Sequence, residues 1–517
     1  MYPSYSATID MKAHKLASTT AVGVRRSGSR VLWGLRHSLP TTEQLLTSGG
    51  DARIALAPNK FSSAQADAPS NQYGCPPRPD AAMVALGSCT ASIISVAGFA
   101  AAELLRSRLL LAVQMEPAAQ VYARELARQQ AELALLCGVT DLSDLKIVFG
   151  TSGTDLHTVA AKRCASQAKT SVLTITVDAP ETGSGVHAAL TGVHAGQRAA
   201  APVSVALRLP DGSLRASQDV DAVVEALVVA AVAAGKRVLL VAVDVSKTGL
   251  IAPSAACIAA LKRRHVDSLD VLVDACQFRI APDTLRAYLN LGCMVALTGS
   301  KFVTGPAFSG ALLLPKSDRQ GARKPRVTAP AGADAMNVKP DEAANFGLAL
   351  RWEAALHELR EFRAVPEAQV VAFLARYAAA VREHLAQQTS GESLFEALPV
   401  APLDRQALGA GGGWDGIQTI FPFVPHHPAS RGGAALTADE TDRLYRALHQ
   451  GGGELRCQLG QPVACGHRNG APISALRLCA SARLAVEATT GDNADGVINR
   501  TLAALDKTAA LLRRGAY

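Results

Sequence analysis

Aromatic residues make up only 4% of the 517-residue chain, so its core must be filled by small aliphatic side chains. A hydrophobic share of 49% excludes a disordered or fibrous protein and suits two or three domains. None of the ten cysteines forms a C-x-x-C pair and no histidine cluster accompanies them, so the signal of a zinc site is missing. No basic stretch is interleaved with aromatics or set in a recognition module, which argues against nucleic acid as a partner. The net charge of +8 gathers instead in an N-terminal arm (Lys12, Lys15, Arg25, Arg26, Arg30, Arg36) and in "RQGARKPR" at 319–326. Residues 83–102 come nearest to a membrane span, but Gly87, Ser88, Thr90, Ser92 and Gly98 interrupt them. They read as a loop entering a buried helix, and no membrane is expected as a partner. Residues 1–40 lack the apolar core of a secretory signal; their Ser and Arg content fits either an organellar transit peptide or a disordered arm. Cysteines set in apolar segments behave as small hydrophobes and point to a reducing cytoplasm.

What is present is an alternation of helix and strand from about 100 to 315. Short Val/Leu runs, "KIVFG" (146–150), "TSVLTITVD" (170–178), "APVSVALRL" (201–209), "RVLLVAVDV" (237–245), "DVLVDAC" (270–276) and "MVALTG" (294–299), read as strands. Helical stretches at 117–139, 154–167, 219–235, 254–264 and 282–291 separate them. Near-continuous apolar strands between helices predict an α/β fold with a mostly parallel sheet covered on both faces. "GALLLP" (310–315) is expected to pair back on it. After a Gly-, Ala- and Pro-rich basic loop (315–340), a long helix begins near Asn345. Helices at 367–387 and 437–450 and strands at 417–424 and 474–479 then give a smaller α+β domain. The expected division is an arm over 1–70, partly disordered, a large α/β domain over 71–344, and the small domain over 345–517. The glycine-rich turns at 408–416 and 450–454 have no following helix with a lysine-serine pair and are not phosphate loops.

Ligands of such folds collect at the carboxyl ends of the strands, and three features fall there. "FGTSGTDLHT" (149–158) is a Gly/Ser/Thr turn opening a helix, where free backbone N–H groups and the helix dipole favour an anion. "VLVDACQF" (271–278) ends an apolar strand with Asp274, a carboxylate that needs a partner. "LTGSKFVTGPAFSG" (297–310) sets Lys301 at the end of a buried-looking strand; a lysine rarely goes inside unless it is paired or used. A phosphate cradle, a buried carboxylate for a pyridine nitrogen and a lysine for a Schiff base are together what pyridoxal phosphate requires.

In this order the motifs resemble the fold-type I pyridoxal-phosphate enzymes, in particular the class V aminotransferase and cysteine-desulfurase branch. The resemblance covers about 70–485 and runs from the Ser-Gly-Thr turn through "APETGSG", "VDVSKTGLIAPS", "VDACQ" and "TGSK" to the "NFGLALRWEAAL" helix. It implies a seven-stranded type of sheet, a homodimer, and the cofactor held by Lys301 as a Schiff base. Lys301 would then move a proton between the substrate Cα and the cofactor. Asp274 would keep the pyridine nitrogen protonated, and Gln277 would bond the phenolic oxygen. Ser152, Gly153 and Thr154 would hold the phosphate, with Thr298 and Ser300 on its other side. The branch often has a histidine at the position of Ser300, and it usually stacks a ring on the cofactor where this chain has Thr182. Either Thr182 packs its methyl there or His187 of the same loop takes that place. Ser246 falls where a polar contact to the ring is common.

Arg477 sits inside the apolar strand "ISALRLCA", and a planar guanidinium there suits a substrate carboxylate. Arg483, nearer a helix, reads as surface. Ser88, Thr90 and Ser92 are candidate substrate contacts, with helix capping as the alternative. The expected activity is that of an aminotransferase on an amino acid or keto acid. An elimination lyase, or other carbon-bond-forming or decarboxylating chemistry at Cα, is the alternative, and a non-catalytic regulator of the same fold the third. A desulfurase would need an activated cysteine on a mobile loop, and 408–416 has none.

Overall fold

The computed structural model describes residues 38–48, 70–71, 73–87, 91–191, 193–194, 197–198, 200–315, 344–390, 394–450 and 455–517. The expectations for residues 1–37, the basic loop, Ser88 and Thr90 therefore lie outside the described residues.

Strand order follows from which apolar runs are covered on both faces. The main sheet contains β1 (Lys146–Gly150), β2 (Val172–Val177), β3 (Val203–Val205), β4 (Arg237–Asp244), β5 (Leu269–Asp274), β6 (Met294–Thr298) and β7 (Gly310–Leu314). Their spatial order is β1-β7-β6-β5-β4-β2-β3, and Ile251–Ala252 adds a short antiparallel strand on β4. β2 to β6 run parallel, while β7 lies antiparallel between β6 and β1, as "GALLLP" led us to expect. β4, β6 and β7 are buried along their whole length, which is why they are written in Val, Leu and Ala. The connecting helices include α1 (Val96–Met115), α2 (Ala118–Leu136), α3 (Gly153–Gln167), α4 (Ser217–Ala233), α5 (Ala255–Arg264) and α6 (Pro282–Asn290). The strand expected over 201–209 stops at Val205. There the backbone leaves the sheet because the Asp178 carboxylate accepts from Leu207 N, and the chain turns back through Ser213 to Leu209.

Helix α7 (Phe346–Ala364) joins two cores. Phe346, Leu350, Trp352 and Leu356 belong to that of the main sheet, whereas Phe362 packs in the second. The second core lies under an antiparallel sheet of order β8-β9-β11-β10, formed by Phe395–Ala397, Ile420–Pro425, Ala471–Cys479 and Gly460–Arg468 for β8, β9, β11 and β10. It is closed by α8 (Glu367–Ser390), α9 (Ala438–Leu448) and α10 (Ala494–Arg514). Contacts unite Leu39–Tyr517 as one compact unit, to which the short helix Thr42–Leu46 contributes Leu45 and Leu46. Among the described residues no single helix is long and apolar enough to cross a membrane. Arg483, read as surface, is half-buried: it donates to the carbonyls of Ile93 and Thr304 and pairs with Glu358 at 2.9 Å.

A buried ion pair fixes the end of β4. The Arg405 guanidinium grips the Asp244 carboxylate (Nε to Oδ2 2.9 Å), which also accepts from Tyr288, and Arg405 Nη1 donates to Asp415 O at 2.6 Å. Arg405 is 2% exposed and Asp244 is fully buried, so removing one partner leaves an uncompensated charge. Arg405→Leu is expected to cost about 3–5 kcal/mol of stability, read by denaturant unfolding.

Candidate active site

The carboxyl ends of β4, β5 and β6 open into a cavity of about 520 Å³. α3 points its N-terminus into it. Ser152 is the N-cap and accepts from Asp155 N at 3.2 Å, leaving the first N–H groups of the helix without intrahelical partners. Gly153 is required by close approach: a Cβ there would stand 3.1 Å from Cys276 Sγ and 3.4 Å from Thr298 Cγ2. The helix end is therefore seated against β5 and β6.

Asp274, the last residue of β5, is 7% exposed and surrounded by donors. Its Oδ1 accepts from Cys276 N and its Oδ2 from Thr182 Oγ1, both at 3.1 Å. His157 Nε2 lies 3.3 Å from the same Oδ2, while His157 Nδ1 faces Gly153 O at 2.8 Å. Both ring nitrogens thus lie near oxygen atoms. Burial alone would raise the Asp274 carboxyl, but the His157 and Lys301 charges and the hydrogen bonds outweigh it and hold the carboxyl well below the usual range. The site therefore presents a dry, ionised carboxylate.

Lys301 lies in the turn after β6 with φ +63°. Phe278, Thr304 and Phe308 near the same strand ends also have positive φ, a backbone that side chains rarely adopt. Two glycines let this turn press on α7. A Cβ at Gly299 would come within 2.5 Å of Ala355 Cβ, and one at Gly305 within 2.6 Å. Among the described residues no carboxylate pairs with the Lys301 ammonium.

Of the residues singled out in the sequence, Ser152, Gly153, Thr154, Thr182 and Asp274 line this one cavity, as do Gln277, Thr298, Ser300, Lys301 and Arg477. Thr298 Oγ1 donates to Cys276 O at 2.6 Å, and Ser300 Oγ to Thr298 Oγ1 at 3.4 Å. Ser246 does not line it. Its hydroxyl is spent on Glu181 Oε2 at 2.7 Å and on Leu250 N at 3.1 Å, so the ring contact expected of it is not available. His187 also turns away, its Nε2 2.9 Å from Ser204 Oγ, so of the two candidates for the ring-stacking place only Thr182 lines the cavity. Ser92 faces a separate crevice beside Cys75 and Pro306. Arg477 is 2% exposed and donates to Gln461 O (2.8 and 3.2 Å) and to Lys247 O (3.2 Å).

Sequence reasoning missed His157 and Lys247. His157 stands one turn after Gly153 on the inner face of α3, and that i, i+4 spacing was the available signal. His157 acts as a positioning residue for Asp274. His157→Gln removes the imidazole facing the carboxylate and is expected to raise the Asp274 carboxyl. Above its raised value Asp274 stays ionised, so the acid limb of the pH–activity profile should move to higher pH while activity at neutral pH changes less. A profile that falls uniformly would mark a merely structural role.

No family model and no curated protein matches the chain. Among solved structures, a NifS-like protein from Rickettsia africae aligns at 12% identity over 83% of this chain and 99% of that one, with a TM-score of 0.49. The cysteine desulfurase CsdA from Escherichia coli aligns at 17% identity over 83% and 95%, also at 0.49. Those figures describe similarity of chain trace; the chemistry has to be read from the side chains of the cavity.

Proposed function

We propose that the chain is a fold-type I pyridoxal-phosphate enzyme acting at Cα of an amino acid, and that it is an aminotransferase. The observation that carries this reading is the convergence of Lys301, the buried ionised Asp274 and the N-terminus of α3 on one cavity. These groups fit the three ends of the cofactor: an aldehyde that needs an amine, a pyridine nitrogen that needs an anion, and a phosphate that needs backbone N–H groups. When bound, the cofactor supplies an electron sink that weakens bonds at Cα. Asp274 would hold the proton on the ring nitrogen, and Lys301 would hold the cofactor and later carry the Cα proton. Transamination asks no more of the protein than this one proton carrier. Desulfuration would ask for a thiolate, and the one cysteine lining the cavity among the described residues, Cys276, has its thiol pushed well up by burial and by Asp274.

The same reading includes a homodimer. It is supported by the exposed apolar face of α1, where Leu104, Leu111 and Met115 are 64%, 71% and 84% exposed and share one side of the helix.

The test is chemical. The purified protein should absorb near the violet, and borohydride reduction followed by peptide mapping should place a pyridoxyl group on Lys301. Amino acids should then yield the matching keto acids by mass. A colourless protein, or label on Lys247, would refute the assignment; ammonia released without amino transfer would move the activity to a lyase.

A further inference from the structure

Lys247 is a second lysine of the cavity, with no part in the transamination proposed for Lys301 and Asp274; a role for it in substrate choice presupposes that reaction. Its neighbours on both sides are tied down. Lys247 N donates to Glu181 O at 3.0 Å, Ser246 Oγ and Thr248 Oγ1 donate to the Glu181 carboxylate, and Lys247 O accepts from Arg477. The side chain alone is left to enter the cavity, where it lines the wall with Arg477 and Lys301.

The charges around it do not balance. Among the described residues three acids line the cavity, and each is already paired: Glu181 with Arg208 at 3.1 Å, Asp274 with His157, and Asp442 with Arg446. Lys247 and Lys301 have no carboxylate partner among the described residues, and Arg477 meets backbone carbonyls. Burial, and then the Arg477 and Lys301 charges, lower the Lys247 ammonium to about 8, so it is a cation held at a cost that an arriving anion would relieve. The cofactor accounts for one of the three through Lys301, and a substrate α-carboxylate for Arg477. One cation remains.

Strand order tells which part of a ligand it faces. The α3 N-terminus sits against Cys276 and Thr298, at the ends of β5 and β6. Lys247 follows β4, on the other side of Asp274, and is bonded through its carbonyl to Arg477. It is thus placed beside the substrate anchor and away from the phosphate cradle. We propose that Lys247 is a second anion site and that the substrate is an amino acid with an anionic side chain, one anion on Arg477 and the other on Lys247.

Titrating the purified, cofactor-loaded chain tests this by its change in absorbance. L-aspartate, L-glutamate and O-phospho-L-serine are compared with L-asparagine, L-glutamine and L-serine. One charge-assisted contact corresponds to roughly tenfold to a hundredfold tighter binding of the acidic member of a pair. Which acidic member binds most tightly separates a carboxylate from a phosphate ester. Lys247→Met should erase the preference, Lys247→Arg should retain it, and Lys247→Glu should reverse it. Calorimetry on the chain stripped of cofactor should show glutarate binding more tightly than butyrate, with the difference lost in Lys247→Met. Equal binding within each pair, or an undiminished preference in Lys247→Met, overturns the proposal. Loss of cofactor affinity with substrate preference intact would place Lys247 at the phosphate and overturns it as well. A colourless protein would sink the cofactor reading alone, since the glutarate comparison still reports on Lys247.

Discussion

Lys301→Ala is expected to lower turnover on an amino acid by roughly 10⁴-fold, the upper range for loss of one positioned acid–base group. The same change should alter the stability of the chain little. The ammonium stands half-buried with no carboxylate in ion-pair contact among the described residues, so truncation breaks no ion pair and loses only its longer-range attraction to Asp274. The strain of φ +63° is unchanged by alanine; glycine would release about 1 kcal/mol of it. A residue kept for chemistry leaves this signature: activity falls and the denaturation midpoint hardly moves. Parallel measurement of turnover and urea unfolding checks it. Turnover within tenfold of the parent would remove Lys301 from the mechanism, and a large drop in midpoint would make it structural.

Asp274→Asn should slow turnover by about a hundredfold or more. Asparagine keeps the shape and one oxygen for Cys276 N, but an amide replaces the charge opposite the ring nitrogen. His157 then faces an amide in place of a carboxylate. Turnover and absorbance measured on fully loaded protein decide the matter. Near-parental turnover with normal cofactor content would assign Asp274 to packing alone.

The legibility of the fold followed burial. β4, β5 and β6 are covered on both faces, so they appear in the sequence as unbroken Val/Leu runs, and their predicted limits differ from the observed ones by one or two residues. β10 escaped notice because it carries Gly460, Pro462 and Gly466 and shifts register twice against β11; only an edge strand tolerates that composition. Asp274 and Lys301 could be found since each charge ends an apolar run. His157 could not be assigned in the same way, as its role depends on which face of α3 meets β5. The Ser246–Lys247 step shows a different limit. The two adjacent residues part there, the Ser246 hydroxyl bonded to Glu181 and the Lys247 side chain lining the cavity, and motif order alone does not distinguish them.

The Arg405–Asp244 pair stands just before Lys247 and fixes where β4 hands over to the cavity wall. Neither partner meets solvent, so mobile ions do not reach the pair and added salt leaves it at full strength. Lys247 and Lys301 are only half-buried, and counterions compete there with any anionic ligand. Ionic strength should thus act on the two halves of this region separately: potassium chloride weakens substrate binding while the Arg405–Asp244 pair keeps its strength.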